Sequence, residues 1–242
     1  AFDELKVLVQ HLIERNYREE IDSSISLTEQ IIKLAYLYRG RLISLVADWM
    51  RVGYCQGNFN SDNCAAGGFT LDYGPFGFCE LFDPRFQPWT GGGEHFSFFN
   101  QPFAAEINFK MFCASLRPLL LENKEDIEKL EQIKNDFSKS MEKEMQLMWA
   151  KKLGLGKYEE TLTNELFNLM VISKADFTIF FRNLSDIPKN ILFFKDSFYL
   201  SPSEELEKKW NIWLKKWRSC LNKNNDPKKI SQSMKQVNPK YT

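Results

Sequence analysis

The feature that most constrains this chain is an interruption. On both sides of it apolar residues recur at helical spacing, but from Tyr54 to Pro102 that period stops. Most of the chain's 12 glycines fall inside the gap, among many aromatics and short β-type runs such as Gly68-Phe69-Thr70-Leu71. A long irregular segment held between helices is where a site is expected.

Before the gap, Phe2, Leu5, Val9, Leu12 and Ile13 predict an amphipathic opening helix, with His11 off the stripe and exposed. Ser26 and Glu29 have capping-box spacing. Ile32, Leu34, Leu37, Ile43, Val46 and Met50 then predict a long, largely buried helix ending at Gly53. After the gap, helix is expected over Phe103–Leu121 with Pro118 near its end, and over Lys124–Leu153, where Ile127, Leu130, Phe137, Met141, Met145 and Met148 lie near one stripe. Tyr158–Ser173, Asp176–Leu184 and Ser203–Leu221 continue the pattern, and Ile191–Leu200, punctuated by Pro188 and Pro202, reads as β-like. The fold class expected is mainly α with a small β element.

The methionine stripe is read as core, and Trp210, Trp213 and Trp217, three and four residues apart, as packing anchors on one helical face. One body is expected over residues 1–221. A polar, lysine-rich segment follows at 222–242, with only Ile230, Met234 and Val237 available to dock.

Charge removes some partners. Lys plus Arg equals Asp plus Glu at 32 each, so no net field favours nucleic acid or an acidic membrane. Apolar runs such as Leu169–Ile172 fall far below a membrane span and no cleavable signal is seen, so a protein free of the membrane is expected. Five cysteines without a CxxC pair suit a reducing compartment, and Cys220 is read as structural. Two histidines leave little material for a multi-histidine zinc site or a Ser-His-Asp arrangement.

The chemistry is concentrated in Gln56-Gly57-Asn58-Phe59-Asn60-Ser61-Asp62-Asn63 and Gly67-Gly68-Phe69-Thr70-Leu71-Asp72-Tyr73-Gly74. Asp62 and Asp72 are placed to face each other across a hairpin. Magnesium takes oxygen ligands, commonly one or two carboxylates plus substrate phosphates, so Asp72 with the Asn63 amide oxygen suits a phosphate-bridging cation. Asp62 is then left for acid/base work. Kinases use similar parts, and Asp72-Tyr73-Gly74 resembles their DFG. Five residues before Asn63, however, stands Asn58, an amide where a kinase has its catalytic carboxylate. Asn and Asp also cluster in turns for purely structural reasons, and that reading stays open on spacing alone. Gly91-Gly92-Gly93 lacks the Gly-Lys-Ser/Thr ending of a phosphate loop and is read as a surface loop.

Asn60-Ser61-Asp62-Asn63, Thr70-Leu71-Asp72-Tyr73-Gly74-Pro75-Phe76-Gly77-Phe78, Phe82-Asp83-Pro84 and Asn100-Gln101-Pro102 follow one another in an order and spacing that resemble the selenoprotein O (SelO/YdiU) family. Weaker echoes are Leu116-Arg117-Pro118-Leu119-Leu120, Asp176-Phe177-Thr178 with Phe181-Arg182, and Val237-Asn238-Pro239. The resemblance implies the helix-rich, protein-kinase-like C-lobe of an adenylyltransferase that moves AMP from ATP to Ser, Thr or Tyr hydroxyls of proteins, with ATP flipped relative to kinases. It implies Asp62 as proton acceptor, Asn63 and Asp72 as ligands of magnesium or manganese, and Asp72 against the nucleotide. It further implies a cytoplasmic location in bacteria or a mitochondrial one in a eukaryote.

Gln56 stands where the family commonly has histidine and Ser61 where it has threonine, and Thr90–His95 differs from the usual polar loop. No Gly-rich loop and no nucleotide-binding lysine with its glutamate is recognisable, so a fragment, or a relative that has lost a lobe, is expected. Two other readings are an ordinary kinase-like phosphotransferase using the γ-phosphate and a non-catalytic pseudokinase module.

Overall fold

A computed structural model describes residues 2–71, 74–89, 91, 93–221 and 226–241. The opening helix α1 spans Phe2–Asn16 and buries Val9 and Ile13. Helix α2, Leu27–Val52, opens with the capping box, in which Ser26 Oγ accepts from the Glu29 amide and Glu29 Oε2 from the Ser26 amide. It closes at Gly53, whose φ of 80° is the left-handed conformation that a Cβ disfavours. Leu34, Ala35, Leu42 and Val46 are fully buried, so α2 is the axis of the molecule.

Two short strands, β1 (Tyr54–Gln56) and β2 (Phe76–Phe78), pair antiparallel with Tyr54 opposite Phe78 and Gln56 opposite Phe76. The long connection between them carries the candidate site. Gly68-Phe69-Thr70-Leu71, read as β-type, forms no strand: Gly68 has φ 75°, and a Cβ there would lie 2.4 Å from Arg41 Cβ. Close approach of the loop to α2, rather than strand pairing, dictates its path.

Helix α3 (Gln101–Leu116) runs into a 3-10 turn, Arg117–Leu120, that holds Pro118. The long helix expected from Lys124 is two helices, α4 (Lys124–Asn135) and α5 (Phe137–Lys152). The break has a cause outside the segment: Arg39 of α2 donates to the Ile133 carbonyl at 3.1 Å and lies 3.9 Å from the Asp136 carboxylate. Leu130, Phe137, Met141 and Met148 are core on either side of it. Around α2, helices α3, α4 and α5 pack directly.

Helices α6 (Glu160–Ile172) and α7 (Phe177–Leu184) follow, the latter capped by Asp176 Oδ1, which accepts from the Ile179 amide at 2.7 Å. Ile191–Leu200 is not a strand. Ile191–Ser197 forms a 3-10 helix, started by Asn190 Oδ1 accepting from the Leu192 amide at 3.1 Å, and only Phe198 makes an isolated bridge, to Ala175. A short apolar run satisfies either geometry, and here an Asn cap decided it.

Helix α8 (Glu204–Cys220) buries Trp210, Trp213 and Trp217 completely or nearly so. Each indole N–H finds a fixed acceptor: Ser173 Oγ at 2.7 Å, the Leu162 carbonyl at 2.9 Å and the Leu153 carbonyl at 2.8 Å. They are packing anchors with satisfied polar ends. Helix α9 (Pro227–Val237) lies against α5 through Ile230 and Met234, with Val237 half-buried. Among the described residues no helix is long and apolar enough to cross a membrane.

Candidate active site

The connection between β1 and β2 is fastened at intervals to the helices behind it. At its root, Gln101 of α3 is fully buried. Its Oε1 accepts from the Gln56 amide at 2.8 Å and its Nε2 donates to the Tyr54 carbonyl at 2.9 Å. The side-chain amide therefore stands in for a neighbouring strand along the edge of β1 that β2 does not pair. Next, Asn108 Nδ2, two turns further along the same face of α3, donates to the Phe59 carbonyl at 2.9 Å.

From the other side, Tyr38 of α2 meets Cys64 Sγ at 3.1 Å, and Tyr17 donates to the Ala66 carbonyl at 2.6 Å. Arg41 donates to the Gly67 carbonyl at 3.1 Å while its guanidinium lies 4.0 Å from the Tyr17 ring centre. Trp49 Nε1 donates to Thr70 Oγ1 at 2.8 Å. Burial pushes the Tyr17 hydroxyl up to about 12, against the lowering effect of Arg41, and pushes Tyr38 further in the same direction. Both therefore remain protonated at neutral pH.

Held this way, the loop folds Ser61–Asn63 into a single 3-10 turn. Asp62 is exposed on it, whereas Asn63 is 5% exposed. Asn63 Nδ2 donates to the Asn58 carbonyl at 2.9 Å, which turns Oδ1 to the opposite end of the amide. Asn58 Oδ1 in turn accepts from Asn60 Nδ2. Asn58 is thus committed on both its main-chain and side-chain oxygens to shaping the turn. Asp72 and Tyr73 lie outside the described residues.

Gly93 leads into Glu94–Phe96, a three-residue 3-10 helix too short to present a helix-terminal phosphate site. His11 and His95 are both exposed, and all five cysteines are free, with Cys220 on the surface. Sequence reasoning had not assigned roles to Gln101, Asn108, Tyr17, Tyr38, Arg41 or Trp49. The one available signal was a polar residue on an otherwise apolar helical stretch, as at Gln101 and Asn108.

The family model described as protein adenylyltransferase SelO matches residues 1–242. This chain belongs to the SelO family. Among curated relatives it is 31% identical, over 98% of its length, to the protein nucleotidyltransferase YdiU of Flavobacterium johnsoniae, of which that match covers 47%. It is 33% identical, over 99% of its length, to the protein of the same name from Bacillus cereus strain B4264, again covering 47% of the relative. For the Methylobacillus flagellatus counterpart the identity is 31% over 94% of this chain and 43% of the relative. The chain thus spans about half the length of the curated SelO relatives it matches.

Proposed function

We propose that this chain is the protein-kinase-like C-lobe of a protein adenylyltransferase and that Asp62 is its proton acceptor. The observation carrying this reading is the pairing, on one fastened turn, of an exposed carboxylate at Asp62 with a buried, oriented amide at Asn63. A base must reach an incoming hydroxyl, and a ligand must hold still; exposure and burial divide those tasks between adjacent residues.

The reaction transfers AMP. A Ser, Thr or Tyr hydroxyl oxygen of a protein substrate bonds to the α-phosphorus of ATP, the bond from that phosphorus to the bridging oxygen breaks, and pyrophosphate leaves. The hydroxyl proton passes to Asp62. Asn63 Oδ1 and the Asp72 carboxylate are the oxygen donors that would hold magnesium or manganese, and Asp72 would also contact the nucleotide. That donor set suits a hard cation completed by substrate phosphates, and such a cation neutralises charge on the phosphates. With both Asn58 oxygens engaged in the turn, nothing at that position can take a proton in the manner of a kinase, which favours α- over γ-phosphate chemistry. The free thiols suit a reducing compartment such as a bacterial cytoplasm.

The test is transfer of label from α-labelled and, separately, γ-labelled ATP to protein, with magnesium or manganese. The chain is assayed alone and joined to the remaining half of a SelO relative, each beside Asp72→Ala. Label from the α position only, lost in Asp72→Ala, is the expected result. Label from the γ position identifies a kinase, and none from either identifies a non-catalytic module.

A further inference from the structure

The turn that carries Asp62 also forms one wall of a cleft of about 270 Å³. Phe59, Asn60 and Ser61 line that wall, and Phe103, Ile107 and Met111 of α3 line the other. Helix α3 is apolar on opposite sides. Ala105, Phe109 and Cys113 face the core, yet Phe103, Ile107 and Met111, each four residues from the next, are 55%, 39% and 55% exposed. A surface helix ordinarily turns polar residues outward, so a row of three large apolar side chains marks a face that something covers.

We propose that this cleft receives an apolar side chain, of the size of Leu, Met or Phe, from the protein segment that presents the acceptor hydroxyl. The identity of the occupant rests on the adenylyltransferase reading above. Its place follows from continuity, because Asn60 and Ser61 immediately precede Asp62, and a segment whose hydroxyl meets that carboxylate runs along the same wall. An extended segment advances about 3.3 Å per residue, which puts the anchoring side chain within about three residues of the acceptor. Its chemistry follows from the lining. Among the described residues that line the cleft there is no Lys, Arg, Asp or Glu and His95 is the one ionisable side chain, and the flanking Glu106 and Lys110 pair with each other at 2.6 Å. The cleft therefore selects against a charged residue at the anchoring position.

The test uses fluorescein-labelled polar peptides with one Ser and a single Leu walked from four residues before it to four after, each against its Ala counterpart, with binding read by anisotropy. At one or two registers the Leu peptide should bind about tenfold tighter. Met111→Ser should reduce that ratio severalfold, and Ile107→Ser with Met111→Ser should bring it close to one. Met111→Lys, at a half-exposed position, serves as the second variant should the double substitution unfold the chain. Equal binding of Leu and Ala peptides at every register, or a preference that survives these substitutions, overturns the proposal. So does a chain that sediments as a dimer and is dissociated by Met111→Ser, or a Leu preference that vanishes when the chain is joined to the remaining half of a SelO relative, because the face then belongs to a second copy or to that half. Transfer from α-labelled ATP to the same peptides keeps the two ideas apart. With the chain joined to the remaining half of a SelO relative, a Leu preference in binding without transfer leaves an apolar peptide cleft but removes the adenylyltransferase reading and with it the identity of the occupant, whereas transfer without preference overturns the cleft alone.

Discussion

Arg182 of α7 donates from Nη1 to the main-chain carbonyl of Asn238, 3.0 Å away and 56 residues further along the chain. The same nitrogen reaches the Lys235 carbonyl at 3.1 Å, and Arg51 of α2 takes the Val237 carbonyl at 2.9 Å. Asn238, with no exposed surface, returns the contact by donating to the Lys152 carbonyl at 2.9 Å and to Ser185 Oγ at 3.0 Å. Phe181-Arg182 and Val237-Asn238-Pro239, outlying parts of the family pattern, therefore meet as one joint that ties the end of α9 to the body.

Asn238→Ala removes two donors from a buried site and leaves the Lys152 carbonyl without that partner. The expected cost is about 2–4 kcal/mol, read as a lower urea midpoint with an unchanged slope.

Lys152 supplies a second stability test. Its ammonium is buried, donates to the Arg51 carbonyl at 2.9 Å, and lies 4.0 Å from the centre of the Phe181 ring. Burial, with a smaller contribution from the charge of Arg51, holds its pKa well below the usual lysine value. The folded chain therefore binds fewer protons here than the unfolded chain, so this group's penalty is greatest at low pH and fades as pH rises toward about 10.4. Lys152→Met should raise stability at pH 7, and the gain over the parent should shrink steadily as the pH of the denaturation experiment approaches 10.

Gln101→Leu keeps the volume but strips the strand-like pairing from the Tyr54 carbonyl and the Gln56 amide. A loss of about 3 kcal/mol is expected, together with faster hydrogen exchange at the Gln56 amide. Unchanged protection at Gln56 would show that the side-chain amide is not what holds β1.

Asp62→Asn separates chemistry from folding. An exposed position on a turn held by other groups should change stability by no more than about 0.5 kcal/mol. Adenylyl transfer should nonetheless fall by about 10²–10⁴ while metal-dependent nucleotide binding persists. Asn63→Ala should do the reverse in part, costing about 1 kcal/mol through the lost bond to the Asn58 carbonyl and raising the metal concentration needed for transfer. Equal transfer by Asp62→Asn and the parent would remove Asp62 from the reaction.

The elements that could be read before folding are those whose causes are local. The capping box at Ser26 and Glu29, the stripe through Leu130, Phe137 and Met141, and the three-tryptophan face of α8 depend on spacings of three to eleven residues, and all appear where expected. The misread elements had distant causes. Arg39 breaks the α4–α5 helix at Asp136, nearly a hundred residues away, and Arg41 bends the Gly68 loop out of a strand path.

The candidate site divides along the same line. Sequence alone determined that Asp62 and Asn63 stand side by side in a glycine-rich gap between helices, and that position 58 carries an amide and not a carboxylate, because covalent order and residue type settle both. Only the tertiary structure decided that Asp62 is exposed while Asn63 is buried, and that Gln101, Asn108, Tyr17, Tyr38, Arg41 and Trp49 hold the loop in that state. Those decisions belong to hydrogen bonds between groups twenty to fifty residues apart, whose partners exist only once α1, α2 and α3 have packed around a common core.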